Sequence, residues 1–124
     1  MAQPVLVLVT PQHACDRLIH QGAEIARARD SSLRVLHVAN PDAAPIGEPA
    51  INARALDYLY ALSGEVGAEM CVLTSSSPLE AIADYASGCN AGVIVMGGGE
   101  RASGIAETFS HRLPGVQVII LPRS

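Results

Sequence analysis

Three consecutive glycines follow a short apolar run in the last third of the chain, and their backbone is the clearest candidate for chemistry. Gly97, Gly98 and Gly99 stand where a strand is expected to give way to a helix. Uncovered backbone amides at such a point bind anions. The guanidinium of Arg101 and the hydroxyl of Ser103 follow closely, and both suit phosphate. The segment therefore predicts an anion site. The alternative is that the glycines only let the strand turn sharply against its neighbour.

A second polar group follows the first apolar run and contains Thr10, Pro11, Gln12 and His13. The side chains of threonine, glutamine and histidine can hydrogen-bond a base or a sugar. The alternative is helix capping, with Thr10 or Gln12 as the cap and Pro11 in the first turn. Both interpretations stay open at the level of sequence.

Charge and composition argue against several classes of function. The 124 residues carry a formal net charge of −4, and all eight basic residues are scattered arginines. Nucleic-acid binding needs a positive footprint, and a P-loop needs a lysine, which the chain lacks. No apolar run has the roughly 18 residues of a membrane span, and the first nine residues lack the basic start of a signal peptide. We therefore expect a cytoplasmic protein that binds neither nucleic acid nor membrane.

Neither catalysis nor metal binding is indicated by any motif. The three cysteines show no zinc spacing, so we expect reduced thiols and no metal. Neither a nucleophile elbow nor an HExxH helix occurs, so we predict that the chain is not an enzyme. His37 lies inside an apolar run and is predicted to be packed. His111 is predicted to lie on the surface, and Cys15 to pack near the start of the first helix.

Five apolar runs of strand length alternate with four segments of helical periodicity. The runs are near-continuous, which is typical of strands buried on both faces. They cover residues 5–9, 33–38, 69–73, 92–96 and 116–121. This order predicts one domain over residues 1–124, a three-layer, doubly wound α/β fold. Its five parallel strands are expected in the order 3-2-1-4-5.

Local signals mark where helices begin and end. Ser77, Pro78 and Glu80 match a capping box, with serine at the N-cap and proline in the first turn. Residues 30–32 are expected to break the first helix, and residues 114–115 to stop the fourth. Residues 40–50 are expected to form the one long loop.

The predicted strand order places the candidate site at the point where the order reverses, between strands one and four. Residues 10–13 and 97–101 follow these strands, so they should be neighbours in space. Ala39 and Asn40 follow strand two and should flank the same cleft.

Several phrases of the sequence together resemble the universal stress protein family along essentially the whole chain. VLVLVTPQ is similar to the family's first strand and turn, and ARARDSSLRVLHV to its helix, turn and second strand. SPLEAIADYASGCNAGVIVMGGG resembles the helix, turn and fourth strand, and LPGVQVIILP the last strand. Within this family, the sequence most resembles the stress-protein-like sensor domain of potassium-responsive histidine kinases.

The ATP-binding branch of this family carries Gly-x-x-Gly, nine residues, and then Gly-Ser or Gly-Thr. The resemblance places Gly97 at the first glycine and Gly104 at the later one. The chain departs from the motif at Glu100, at Ile105, and in the shorter spacing between the glycines. Thr10 stands where the family has an acidic residue. By the same resemblance, backbone groups at residues 39–40 would contact an adenine edge.

The resemblance implies a regulatory or small-ligand-sensing module with a degenerate nucleotide-binding loop. One alternative is an ATP- or AMP-binding stress protein with a shortened phosphate loop and slow hydrolysis. Another is a structural interaction module with an empty cleft. The resemblance also implies a homodimer through the last strand, by way of Val116, Val118 and Ile120, and a regulatory protein partner.

Overall fold

The chain folds as an alternating series of strands and helices around one parallel sheet. The computed structural model describes residues 3–9, 15–39, 53–98 and 102–121. The strands are β1 (Val5–Leu8), β2 (Leu33–Ala39), β3 (Glu69–Thr74), β4 (Val93–Gly97) and β5 (Gln117–Leu121). The helices are α1 (Cys15–Ala28), α2 (Ala53–Glu65), α3 (Pro78–Gly88) and α4 (Ala102–Arg112). Each predicted strand is present, with bounds shifted by at most one residue.

The strand order is β3-β2-β1-β4-β5, with every pair parallel, and this confirms the predicted topology. Val5 of β1 pairs with Leu33 of β2 on one side and with Val93 of β4 on the other. The central strands β1 and β4 carry side chains buried on both faces, as their continuous apolar runs predict. The single-domain assignment of residues 1–124 stays a prediction.

Two core clusters, one on each face of the sheet, hold the three layers together. The first core cluster joins α1 and α2 to the sheet and includes Ile19, Leu59 and Val95. The second joins α3 and α4 to the opposite face and is centred on Phe109, the chain's one phenylalanine, which is fully buried. Burying a side chain of this size contributes about 1.5–3 kcal/mol.

The four helix-to-strand turns share a conformational device. Each contains one residue with a positive φ, namely Asp30 (54°), Gly67 (75°), Asn90 (58°) and Gly115 (93°). In the first three turns a backbone amide donates to the carbonyl five residues earlier. The donors are Ser31 and Ala68, each with an N···O distance of 2.8 Å, and Ala91, with 2.9 Å. This is the Schellman arrangement, in which a left-handed residue closes the helix. The predicted stops at residues 30–32 and 114–115 are confirmed.

The start of α3 differs in one respect from its prediction. Ser77 is the N-cap and Pro78 occupies the first turn, but the Ser77 side chain makes no capping hydrogen bond. The Ser77 amide instead donates to Ser75 Oγ at 3.0 Å. Glu80 forms an ion pair with Arg112 of α4 at 3.4 Å. The predicted N-cap and first-turn proline are confirmed, but the Ser77 hydrogen bond of a capping box is wrong, and Glu80 pairs with the neighbouring helix instead.

No helix among the described residues is both long and apolar enough to span a membrane. The predicted long loop at residues 40–50 lies outside the described residues.

Candidate functional site

The candidate site lies at the carboxyl edge of the sheet, between the ends of β1 and β4. These strands are neighbours, and Val7 pairs with Val95 close to that edge. The helix after β1 packs in the first core cluster and the helix after β4 packs in the second, on opposite faces. Connections that leave a sheet toward opposite faces open a crevice between them, where such folds bind ligands.

Gly97 ends β4 and lies exposed at this edge, opposite Leu121 of β5. A Cβ built on Gly97 would lie 3.6 Å from Leu18 Cδ1, which is an ordinary van der Waals contact. The backbone φ of Gly97 lies outside the left-handed region. Neither the backbone nor the contacts of the described residues therefore require glycine at this position. Gly97 therefore ends β4 without a side chain at an exposed position of this edge.

The amide of Gly98 changes the predicted anion site. It donates to the Leu121 carbonyl at 2.6 Å, which extends the bonding between β4 and β5 by one residue. The expectation of three free glycine amides is therefore wrong at Gly98, because this N–H belongs to the sheet. Gly99, Glu100 and Arg101 lie outside the described residues.

The amino end of α4 is the next described part of the chain after Gly98. Ser103 and Gly104 are exposed in its first turn, while Ala102 is buried. The first turn carries no acidic residue, and His111 and Arg112 occupy the last turn. The positive end of the helix dipole is thus not neutralised by a side chain of its own first turn, which favours an anion there. His111 is exposed, as predicted.

The ends of β1 and β2 are tied together by an unexpected hydrogen bond. His37 is buried, and its Nδ1 lies 3.0 Å from the Val9 carbonyl. The Val9 amide donates to the Leu36 carbonyl at 2.9 Å. The predicted packing of His37 is confirmed, but its partner was missed because only the register of β1 against β2 reveals it. Ala39 ends β2 opposite Thr74. Thr10, Pro11, Gln12, His13 and Asn40 lie outside the described residues.

Within the part of the chain that the structure describes, no three histidine, cysteine, aspartate or glutamate residues gather where they could hold a metal. Cys71 and Cys89 are free thiols, both half-buried. Cys15 begins α1, and its side chain lies outside the description.

A separate cavity of about 240 Å³ lies at the opposite, amino edge of the sheet. It is lined partly by Gln3, Asn90 and Arg112, between the ends of α3 and α4. Gln3 Nε2 donates to Asn90 Oδ1 at 3.3 Å within it. Arg34 lies farther along the amino ends of the strands, where the hydrogen bond from its guanidinium to Tyr85 raises the pKa of Arg34 above its usual value.

The parallel sheet, its reversal point and the uncovered end of β4 define a doubly wound α/β protein with a crevice at the carboxyl edge. Residues 1–107 match the model of the universal stress protein family, and the chain belongs to that family.

Solved structures of the family share this fold with the chain. A universal stress protein in complex with cAMP covers 99% of this chain and 98% of its own at 19% identity, with a TM-score of 0.71. The universal stress protein from Archaeoglobus fulgidus in complex with dAMP covers 95% of this chain and 96% of its own at 23% identity, with a TM-score of 0.68. A family protein from Arabidopsis thaliana with AMP bound covers 98% of this chain and 92% of its own at 20% identity, with a TM-score of 0.64. No curated protein matches the chain in sequence.

Proposed function

We propose that this protein is a regulatory, ligand-sensing member of its family that binds an adenine nucleotide in the crevice at the carboxyl edge. The observation that carries the proposal is Gly97, a glycine that the described contacts do not require, at the point where β1 and β4 end side by side. Structurally similar proteins have been solved with cAMP, dAMP and AMP.

The proposed binding residues come from three strand ends and one helix start. Phosphate would be held by Gly97, Gly99, Arg101, Ser103 and Gly104. Gly98 would line the same loop with its carbonyl group. Residues 10–13 would contact the base or the sugar, and residues 39–40 would flank the base. The sheet already uses the Gly98 amide, and Ile105 stands where a hydroxyl would hold phosphate. We therefore expect a nucleotide with one phosphate to bind at least as well as ATP.

Ligand binding is proposed here in place of catalysis. The described side chains at the crevice offer no paired nucleophile and base, and slow hydrolysis of ATP stays an alternative. The ligand would act by ordering the loop after β4 and so changing the surface offered to a regulatory partner in the cytoplasm. The similarity to the sensor domain of potassium-responsive histidine kinases stays a prediction.

Thermal unfolding with AMP, cAMP and Mg-ATP, each at millimolar concentration, tests the proposal. A ligand at about 100 times its dissociation constant stabilises the folded chain by about 2.7 kcal/mol, or about 10 °C for this length. In Gly97→Val, branched methyl groups would cover the end of β4. This variant should stay folded and lose the nucleotide-induced shift.

The matched control is Gly64→Ala in α2, where a Cβ meets nothing within 4 Å. It should keep the full nucleotide-induced shift. Unchanged unfolding of the wild-type chain with all three nucleotides would contradict the proposal and favour an interaction module with an empty cleft.

The dimer is proposed to form by antiparallel pairing of β5 with its copy. Among the described residues no strand pairs with the far side of β5. Ile120 is exposed, whereas Val116 and Val118 are half-buried against the second core cluster. We therefore assign the contact mainly to the backbone of β5 and to Ile120, with Val116 and Val118 contributing their outer surfaces.

A further inference from the structure

The cavity at the amino edge of the sheet lies at the opposite edge from the proposed nucleotide crevice. Its volume is about 240 Å³. The described residues that line it come from the segment before β1, from the end of α3 with its turn, and from the end of α4 with its turn. A molecule bound there would therefore contact three separate parts of the fold.

The inner wall of the cavity is apolar. Ala86, Ala91 and Leu113 line it and are buried in the second core cluster, and Val116 packs against that cluster. An apolar group that covers this wall would remove it from water, which favours binding. The volume is below the roughly 300 Å³ at which pockets for drug-sized ligands begin, so the ligand must be small.

The polar side chains that line the cavity offer several hydrogen-bond donors. Arg112 carries the N–H groups of its guanidinium, Asn90 an amide NH₂ group and Ser87 a hydroxyl. Arginine also brings a full positive charge. Hydrogen bonds to an ionised acceptor are about twice as strong as those between neutral groups. The set therefore favours a ligand with a negatively charged oxygen.

Three of the polar side chains are held in place by other residues. Gln3 lies across Gly92, where a built Cβ would lie 2.8 Å from Gln3 Cβ, and Gln3 Nε2 donates to Asn90 Oδ1 at 3.3 Å. Arg112 is held by Glu80, with 3.4 Å between Nη1 and Oε1. Side chains that are already held lose less conformational freedom on binding. The ion pair is well exposed and therefore weak, so a second carboxylate can share the guanidinium.

The carbonyl ends of α3 and α4 would disfavour an anion if their partial negative charge were not compensated. At the end of α3, the carbonyls of Tyr85, Ala86 and Ser87 accept hydrogen bonds from amides of the following turn. At the end of α4, His111 and Arg112 occupy the last turn. Both helix ends are thus compensated, and the charge of Arg112 decides which ligands are favoured.

We propose that this cavity binds a small organic carboxylate with a short, branched apolar body. The carboxylate binds Arg112, and the apolar body packs against the buried inner wall. A short-chain fatty acid and an apolar amino acid both carry this chemistry. The site is separate from the nucleotide crevice, so the proposal holds whether or not the chain binds AMP.

Titration of the isotope-labelled chain with isovalerate, valine and isobutylamine, followed by its backbone amide resonances, tests the proposal. Isovalerate carries the carboxylate alone, valine adds an ammonium group, and isobutylamine has the ammonium group without the carboxylate. The resonances of Asn90, Gly115 and Val116 should shift and saturate with isovalerate or valine. A dissociation constant of about 1 mM is expected for so small a ligand. The tighter of the two identifies the source of the carboxylate.

Two substitutions form a matched pair because each removes the same ion pair between Glu80 and Arg112. Arg112→Gln also removes the cation, so it should bind the carboxylate about tenfold more weakly than wild type. Glu80→Gln keeps the cation and removes a competitor, so it should bind at least as tightly as wild type.

Three results would overturn the proposal. The first is the absence of saturating shifts with both isovalerate and valine. The second is equally tight binding of isobutylamine, which would show that the carboxylate is not recognised. The third is an equal effect of Arg112→Gln and Glu80→Gln, or none in Arg112→Gln, which would show that the cation does not bind the ligand.

Discussion

At the scale of single residues, two glycines show how the same residue type can serve packing or access. Gly22 lies in α1 against the sheet, and a Cβ there would overlap Val7 Cγ2 and lie 3.3 Å from Leu33 Cδ1. The close approach of α1 to β1 and β2 therefore depends on this glycine. Gly97 meets no such obstacle, and this contrast supports a role in binding.

Gly22→Ala should destabilise the protein although alanine favours a helix. The overlap with Val7 costs about 1–3 kcal/mol, more than the gain of about 1 kcal/mol from helix propensity. Gly64→Ala, with open space around its Cβ, should gain up to about 1 kcal/mol. Urea unfolding of both variants measures the difference. Equal stabilisation of the two would mean that α1 is not held at this distance.

At the scale of elements, the outer side of β5 is the surface through which we propose that two copies of the chain pair. The Gln117 amide donates to the Gly92 carbonyl at 3.0 Å, and the Leu121 carbonyl accepts from Gly98. Because bonding direction alternates along a strand, Val118 and Ile120 turn their backbone groups away from β4. No described strand pairs with these groups, and we propose that a second copy does.

Ile120→Pro should convert a dimer into a folded monomer, because proline removes an outward N–H and keeps the bonds to β4. Ile120→Thr is the matched control, since threonine keeps the N–H and the branched Cβ. Light scattering at tens of micromolar should give a dimer for wild type and for Ile120→Thr. A wild-type monomer, or a dimer that persists in Ile120→Pro, would contradict pairing through β5.

At the scale of the whole molecule, the sheet separates two cores that must fold together. Ile19 is fully buried in the first core cluster, and Ile94 is fully buried in the second. Both core clusters pack on the same sheet, so lost packing on one face should lower the free energy of unfolding of the whole chain. We therefore expect one cooperative transition.

Ile19→Val and Ile94→Val should each cost about 0.5–1.5 kcal/mol. Because the two sites lie on opposite faces, the double variant should lose the sum within about 0.5 kcal/mol. Urea unfolding at fixed protein concentration, followed by fluorescence of the tyrosines and by circular dichroism, checks this. Two separate transitions would show that the faces unfold independently.

Much of the fold follows from the sequence, because continuous apolar runs and helical periodicity are local signals. The order of β1 and β4, and hence the place of Gly97, follows from the rules for connecting parallel strands. The bond between His37 and Val9 does not follow, since it depends on the register of two strands. The use of the Gly98 amide by β5 escaped prediction for the same reason. The partner of Glu80 depends on how α3 packs against α4, which no sequence pattern states.

The four left-handed turn residues also limit how the gene for this chain can change in length. Only three or four residues separate each helix from the next strand, as between Glu65 and Glu69. One inserted codon in such a turn would shift the following strand by a residue and exchange its two faces. Insertions and deletions should therefore be rare along the amino edge. Insertions and deletions that distinguish this chain from its relatives should lie mainly in the loops that lead from strands into helices.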